Sequence, residues 1–240
     1  MIGEIRYSVF VGQPELSCCT VWKPESSASI DDPQEFQDYL HQLFVSQDPA
    51  GKSRYAWAEQ VHGNQVFIAT DSGKFATCDG LITAQPGLRL IIRTADCAAV
   101  MCYHPGKKIV ANLHVGWRGA YQHIIRQSIQ ILCKKWEIHP AELLVAVSPF
   151  IQACCYEVGK EFFNYFPSRL LHQRDGKFYF DLQMCISEQF LEAGIPTDQV
   201  EISTICTHCS PLQLPSYRRN KTQNRLINMI EIIGEKNEEN

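Results

Sequence analysis

Apolar residues recur along this chain in two rhythms, one of period two and one of period three to four, and the alternation between them predicts its elements. The spacing predicts strands over 5–11 and 18–22, then a serine-rich loop over 24–30. Asp32-Pro33 is a helix start, a capping acid followed by proline in the first turn. Phe36, Tyr39, Leu40, Leu43 and Phe44 fall on one face of the helix that follows, and 47–53 is a polar connection. The central third reads as strands. Runs over 55–61 and 65–70 flank a turn at His62-Gly63-Asn64, and 79–83 is a short apolar piece before Pro86-Gly87. Runs over 88–94, 98–103 and 109–115 are continuous enough to be buried strands.

The last of these enters Gly116-Trp117-Arg118-Gly119 and then a single long helix, whose stripe is Tyr121, Ile125, Ser128 and Leu132. Further along, 143–148 reads as a strand, 156–166 as helical and 178–181 as extended. A helix over 182–193 is stopped by Gly194-Ile195-Pro196. Strands over 200–206 and 226–233 follow, and 235–240 is a disordered polar tail. Strict βαβ alternation is absent. The expected fold is therefore α+β: one domain over 1–234 with mixed sheets and helices outside.

Composition narrows the class. The 240 residues are 45% hydrophobic and 20% charged, as in ordinary globular proteins rather than disordered or fibrous ones. A net charge of −4 gives no support for a nucleic-acid partner or an anionic membrane surface. No apolar run is long enough to span a bilayer. The first residues lack a basic stretch followed by an apolar one, so no signal peptide is expected. The outlying number is 11 cysteines. An odd count in a long chain without an export signal fits reduced thiols and a cytoplasmic location better than a disulfide framework.

Three residues that can carry chemistry stand at element ends, where a sheet fixes position and loops vary. His62 lies in a turn, Cys97 follows Asp96 at a break between apolar runs, and His114 closes a buried strand. Two imidazoles and a thiolate suit zinc and leave a fourth position open to water or substrate. The same residues also read as a turn histidine, a buried thiol and a core histidine. A third reading makes Cys97 a nucleophile with His114 as its base and no metal. Arg118, between glycines at a helix start, reads as an anion or polar-substrate contact, or else as a packing cap beside glycines that serve a tight turn. Ser216-Tyr217-Arg218-Arg219 offers a second cationic lip or a solvated basic loop. Cys206-Thr207-His208-Cys209 has the CxxC form but no second CxxC partner, so it reads as mostly structural. The neighbouring pairs Cys18-Cys19 and Cys154-Cys155 are not expected to bridge. Asp79-Gly80 fits either a polar contact near the site or a turn.

Five strings occur together and in order: Gln60-Val61-His62-Gly63, Thr94-Ala95-Asp96-Cys97, His114-Val115-Gly116-Trp117-Arg118-Gly119, Cys155-Tyr156-Glu157-Val158-Gly159 and Ser216-Tyr217-Arg218-Arg219. The set resembles the purine nucleoside phosphorylase family of YfiH/YlmD type, formerly called multicopper polyphenol oxidoreductases or laccase-domain proteins. The likeness runs from about Gln60 to about Ile230. It implies α/β/β/α layers similar to the catalytic domain of a cytotoxic necrotising toxin. It also implies zinc on His62, Cys97 and His114, with Cys97, His114 and Arg118 catalytic and Gln60, Asp96, Tyr217, Arg218 and Arg219 binding substrate. The activities implied are phosphorolysis of inosine, guanosine, adenosine and methylthioadenosine, and deamination of adenosine, so the partners are a purine nucleoside and phosphate. Copper is the family's older metal, but one cysteine and two histidines do not resemble a multicopper centre. Some bacterial relatives look like peptidoglycan-precursor editing amidases, which would use the same zinc site. The chain departs from the family pattern twice. Ser8-Val9-Phe10-Val11-Gly12-Gln13 has neither the usual arginine nor the glycine pair, and Thr222-Gln223-Asn224-Arg225 replaces threonine-glycine-arginine.

Overall fold

The strands Ala98–His104 and Ile109–Val115 are buried at every position. Side chains alternate between two faces of a strand, so both faces of this sheet must be covered. The computed structural model, which describes residues 2–23, 32–45 and 54–234, shows what covers them. Ala98, Val100 and Cys102, with Ile109, Ala111, Leu113 and Val115, pack against helical residues such as Ile125, Leu132, Ile186 and Phe190. Their alternates Ala99, Met101, Tyr103 and Val110 face a second sheet, meeting Leu88, Leu90, Ile92, Ile230 and Ile232. The outer face of that second sheet carries Cys19, Val21, Ile91, Ile227 and Met229, which pack on Phe36, Leu40 and Phe44. The order is helix, sheet, sheet, helices.

Each main sheet has six strands. One runs Gly3–Ile5, Leu16–Trp22, Leu226–Ile232, Leu88–Thr94, Arg54–Ala58, Gly73–Phe75 from edge to edge. The other runs Val200–Ile202, Leu144–Val147, Ala98–His104, Ile109–Val115, Gly80–Thr83, Val66–Ile68. Both mix parallel and antiparallel pairs, as an α+β fold without regular βαβ units requires. The sheets are also stitched by polar groups. Asn112 Nδ2 donates across the interface to the carbonyls of Leu90 and Asn228, at 3.0 and 2.9 Å.

The helix Pro33–Leu43 starts as its sequence predicts, with the Asp32 carboxylate accepting from Glu35 N at 2.8 Å. Four expectations change. The strand expected over 5–11 ends at Ile5, and Ser8–Phe10 is a 3₁₀ turn held by Glu201 Oε2, which accepts from Ser8 Oγ and Val9 N. The single helix after Gly116 is two, Trp117–Tyr121 and Ile124–Trp136, because His123 turns left-handed at φ 57°. The first segment packs closely on the 61–63 turn at Gly119, where a Cβ would stand 3.1 Å from the Gly63 carbonyl. The helix expected over 156–166 is a short strand, Glu157–Val158, followed by a 3₁₀ turn. Pairing of Glu157–Val158 with Lys177–Phe180, plus the stacked rings of Phe162, Phe166 and Phe180, outweighs the helical spacing. Leu171–Arg174, not expected at all, is the third strand of that small sheet. The loop at 24–30, the connection at 47–53 and the tail at 235–240 lie outside the described residues.

Arg89 and Glu231 form a buried pair at 2.6 Å on the helix-facing side of the first sheet, with Arg89 over the Phe44 and Tyr55 rings. Removing one partner of such a pair leaves a charge buried without its counter-ion, which typically costs about 3–5 kcal/mol. Glu231→Ala is expected to lower the unfolding free energy by that much, read from urea denaturation with the slope unchanged. Replacing both residues by Met and Leu should recover most of it. Equal losses in the single and double variants would refute this account of the pair.

Candidate functional site

Three separate turns of the two-sheet stack bring His62, Cys97 and His114 to one point. His62 follows the strand Arg54–Ala58, Cys97 sits where the chain crosses from the first sheet to the second, and His114 is near the end of Ile109–Val115. Their ligand atoms all lie within 4.8 Å of one another. The two imidazole rings meet edge to face at 4.8 Å between centroids. His114 is buried, Cys97 half-buried and His62 exposed, so the cluster opens outward on the His62 side.

Asp79 arranges this. Its carboxylate is fully buried and accepts four hydrogen bonds: from Val61 N at 3.2 Å, His62 N at 2.9 Å, Gly63 N at 2.7 Å and His114 Nδ1 at 2.7 Å. Three successive backbone N–H groups on one carboxylate hold His62 at φ 61°, a left-handed conformation that is uncommon away from glycine. The bond from His114 Nδ1 directs the other ring nitrogen, Nε2, to the cluster. Burial pushes the Asp79 carboxyl up, but the His114 bond and charge and the N–H groups of Gly63 and Val61 outweigh it, leaving it below the usual value.

The cysteine is tuned in the same way. Burial pushes the Cys97 thiol up, yet the charge and hydrogen bond of His114, with His62, bring it down to about 6. Burial likewise lowers His114, but Cys97 and Asp79 raise it to about 9. Both shifts favour a thiolate beside an imidazolium when no metal is bound. Gly116 completes the wall: a Cβ there would stand 2.8 Å from Cys97 Sγ.

The remaining predicted residues divide. Gln60 has both ends of its amide on the backbone of Arg93, at 2.7 and 2.9 Å, so it pins a strand end. Asp96, at φ 89°, accepts from Thr207 Oγ1, Ser216 Oγ and Arg218 N at 2.7, 2.7 and 2.6 Å. Arg219 donates to the carbonyls of Thr207, His208 and Leu214, which locks its guanidinium into the loop. Arg218 donates to the Glu157 carbonyl and lies 5.4 Å above the Tyr156 ring. Arg118 is exposed, stacked 4.5 Å over Trp117, and Tyr217 is exposed with Lys221 over its ring. Arg118 belongs to the short first helix rather than the start of a long one.

Two residues near the thiol were missed in the sequence. Tyr156 is buried within electrostatic reach of Cys97, Arg218 and Arg118; burial, then the Cys97 charge, push its hydroxyl up. Arg225 lies within reach of Cys97, Tyr217 and Asp96, and burial pulls its guanidinium down. Its place in a string that departs from the family pattern was the available signal. A cavity of about 480 Å³ beside Arg219, lined also by His208, Ser210, Thr222 and Asn224, includes none of the three cluster residues.

The family model described as multi-copper polyphenol oxidoreductase laccase matches residues 26–233. The chain belongs to that family. A relative from Aquifex aeolicus, named purine nucleoside phosphorylase, is 39% identical over 155 residues, 65% of this chain and 71% of that one. Another from Rickettsia conorii, given the same enzyme name, is 31% identical over 228 residues, 90% of each chain. The crystal structure of YlmD from Geobacillus stearothermophilus superposes with a TM-score of 0.84, covering 95% of this chain and 94% of that one at 23% identity. The laccase-family fold is thus shared, as the α/β/β/α expectation required.

Asp79→Asn places an amide N–H against backbone donors and is expected to cost about 3 kcal/mol by urea unfolding. Because the folded Asp79 value is depressed, its contribution is present above the unfolded carboxylate value and is lost as pH falls through the folded one. The wild type should therefore lose more stability than the variant below about pH 4. Identical acid profiles would refute this. In metal-free protein, iodoacetamide labelling of Cys97, followed by peptide mass spectrometry, is expected to rise through about pH 6. His114→Ala should move that rise toward the ordinary thiol range.

Proposed function

We propose that this chain is a zinc enzyme of purine nucleosides. It would cleave inosine, guanosine, adenosine or methylthioadenosine with phosphate, and deaminate adenosine at the same site. The observation that carries the reading is the convergence of His62, Cys97 and His114 with Asp79 behind His114. Two imidazoles and one thiolate are a zinc donor set, and a carboxylate on the far nitrogen of a ligand histidine is its usual support. The relatives' shared name, purine nucleoside phosphorylase, supplies the substrate class. His62, Cys97 and His114 would hold the zinc, which when bound would supply Lewis-acid chemistry.

The protein's own groups supply the rest. Asp79 accepts a hydrogen bond from His114 Nδ1–H and so keeps Nε2 free as the ligand atom. Cys97 enters as the thiolate its surroundings favour. Gly116 keeps the space beside Cys97 Sγ clear. Phosphate carries a charge that an exposed guanidinium can meet, and Arg118 is the predicted arginine whose guanidinium is not tied to loop carbonyls. Arg218 and Arg219 instead shape the wall through carbonyl contacts, and Arg225 adds positive charge near Cys97. Tyr156, neutral and buried, can donate a hydrogen bond to a substrate heteroatom. A reducing cytoplasm suits a site that needs its thiolate.

A second reading rests on the Cys97–His114 pair alone, which is also a nucleophile and its base. Zinc separates the two readings. Zinc-replete protein is given adenosine and inosine, with and without phosphate, and the products are resolved by chromatography. Free base is expected only with phosphate, and inosine from adenosine without it. No turnover by zinc-replete protein would overturn the proposal; turnover undiminished after metal removal would favour the second reading. His114→Ala and Cys97→Ser should abolish turnover, and Asp79→Asn should lower zinc affinity or turnover about 10–100-fold.

A further inference from the structure

Cys154, Cys155, Cys206 and Cys209 form a second cluster, distant in sequence from the first, with all four sulfurs within 4.8 Å of one another. Two turns face each other to make it. Residues 152–155 are wound by Cys155 N and Tyr156 N donating to the Gln152 carbonyl, and 206–209 by Ser210 N donating to the Cys206 carbonyl. The turns are joined by a bridge between Phe150 and Cys206 and by Thr207 N donating to the Phe150 carbonyl. The partner of the CxxC string is thus an adjacent cysteine pair rather than a second CxxC.

We propose that these four cysteines bind one zinc ion as a tetrathiolate, independently of the nucleoside reading. Zinc–sulfur bonds of about 2.3 Å in a tetrahedron separate the sulfurs by about 3.8 Å. Cys154 and Cys209 Sγ stand 3.8 Å apart. The Gln152 N–H points at Cys206 Sγ at 3.5 Å, and the backbone N–H groups of His208 and Cys209 lie near enough to favour its thiolate, the donor pattern that supports a metal-bound thiolate. Cys154 and Cys209 are exposed, so the ion has an entry path. Four sulfurs without a histidine or carboxylate select zinc over hard cations. Binding exchanges thiol protons to solvent for zinc–sulfur bonds, and no electron moves. The ion would clamp the turn carrying Thr207 to the one leading into Tyr156, beside the nucleoside site.

Zinc-replete protein, purified anaerobically, should hold about two zinc equivalents by elemental analysis, one for each cluster. Cys206→Ser/Cys209→Ser should lose one, whereas His62→Ala/His114→Ala should lose the other. Substitution with cobalt(II) gives a second readout: a thiolate-to-cobalt band of four-sulfur strength, retained in the histidine variant. The single change Cys209→Ser, at an exposed position, guards against misfolding and should weaken that band with the far-ultraviolet circular dichroism unchanged. One zinc equivalent in the wild type, lost only with the histidines, would overturn the proposal. So would a Cys154–Cys209 disulfide in non-reducing peptide maps of the zinc-treated protein.

Discussion

The site depends on one buried carboxylate. A charged group with no exposure is tolerable only when every lone pair is satisfied, and Asp79 meets that condition with three backbone N–H groups and one imidazole. Those partners come from two places in the chain, the 61–63 turn and the Ile109–Val115 strand. Satisfying Asp79 therefore fixes the separation of His62 and His114. The strand register helps: Gly80 pairs with Leu113, and the Asp79 carbonyl accepts from His114 N at 2.6 Å. Backbone and side chain of one residue thus align both histidines, and Cys97 needs only to arrive between them.

Much of the layer order could be read from the sequence because buried strands are written as uninterrupted apolar runs. The runs at 88–94, 98–103 and 109–115 fall on strands within a residue of their ends. Errors collect where two signals compete. Phe162 and Phe166 are spaced as on a helix, but these rings and Tyr156 gather around Phe180, whose position the sequence near them does not encode. Nor could local pattern show that Gly119 would dock on the His62 turn and break a helix whose stripe reads as continuous. Of the site, the three metal-type residues were legible by their position at element ends. Asp79 was visible only as a turn signal, because four partners spread between 61 and 114 leave no local trace. Arg218 and Arg219 looked like a substrate-facing pair, yet their guanidiniums are turned toward loop carbonyls.

The 11 cysteines sort by environment rather than by spacing. Cys18, Cys19, Cys78, Cys102 and Cys185 are buried, as small apolar side chains would be. Burial pushes the Cys102 thiol up to about 12, which makes it inert. Cys97, half-buried, moves the opposite way, because two histidines face it. The contrast separates a thiol placed for packing from one placed for chemistry. Nothing in the local sequence distinguishes Ala-Asp-Cys97-Ala from Val-Met-Cys102-Tyr so clearly.

Asp96 joins the two cysteine clusters into one frame. Its side chain accepts from Thr207, Ser216 and Arg218, and its carbonyl accepts from Ile151 N at 2.9 Å. Thr207 lies inside the Cys206–Cys209 turn and Ile151 precedes the Cys154–Cys155 turn, while Cys97 follows Asp96 directly. A residue in the left-handed region at φ 89° stays there only when its surroundings over-determine it, and here four contacts from three segments do so. Any shift of the two cysteine turns would therefore pull on the backbone that aims Cys97. Asp96 is thus the joint that holds the position of Cys97 against the C-terminal loops.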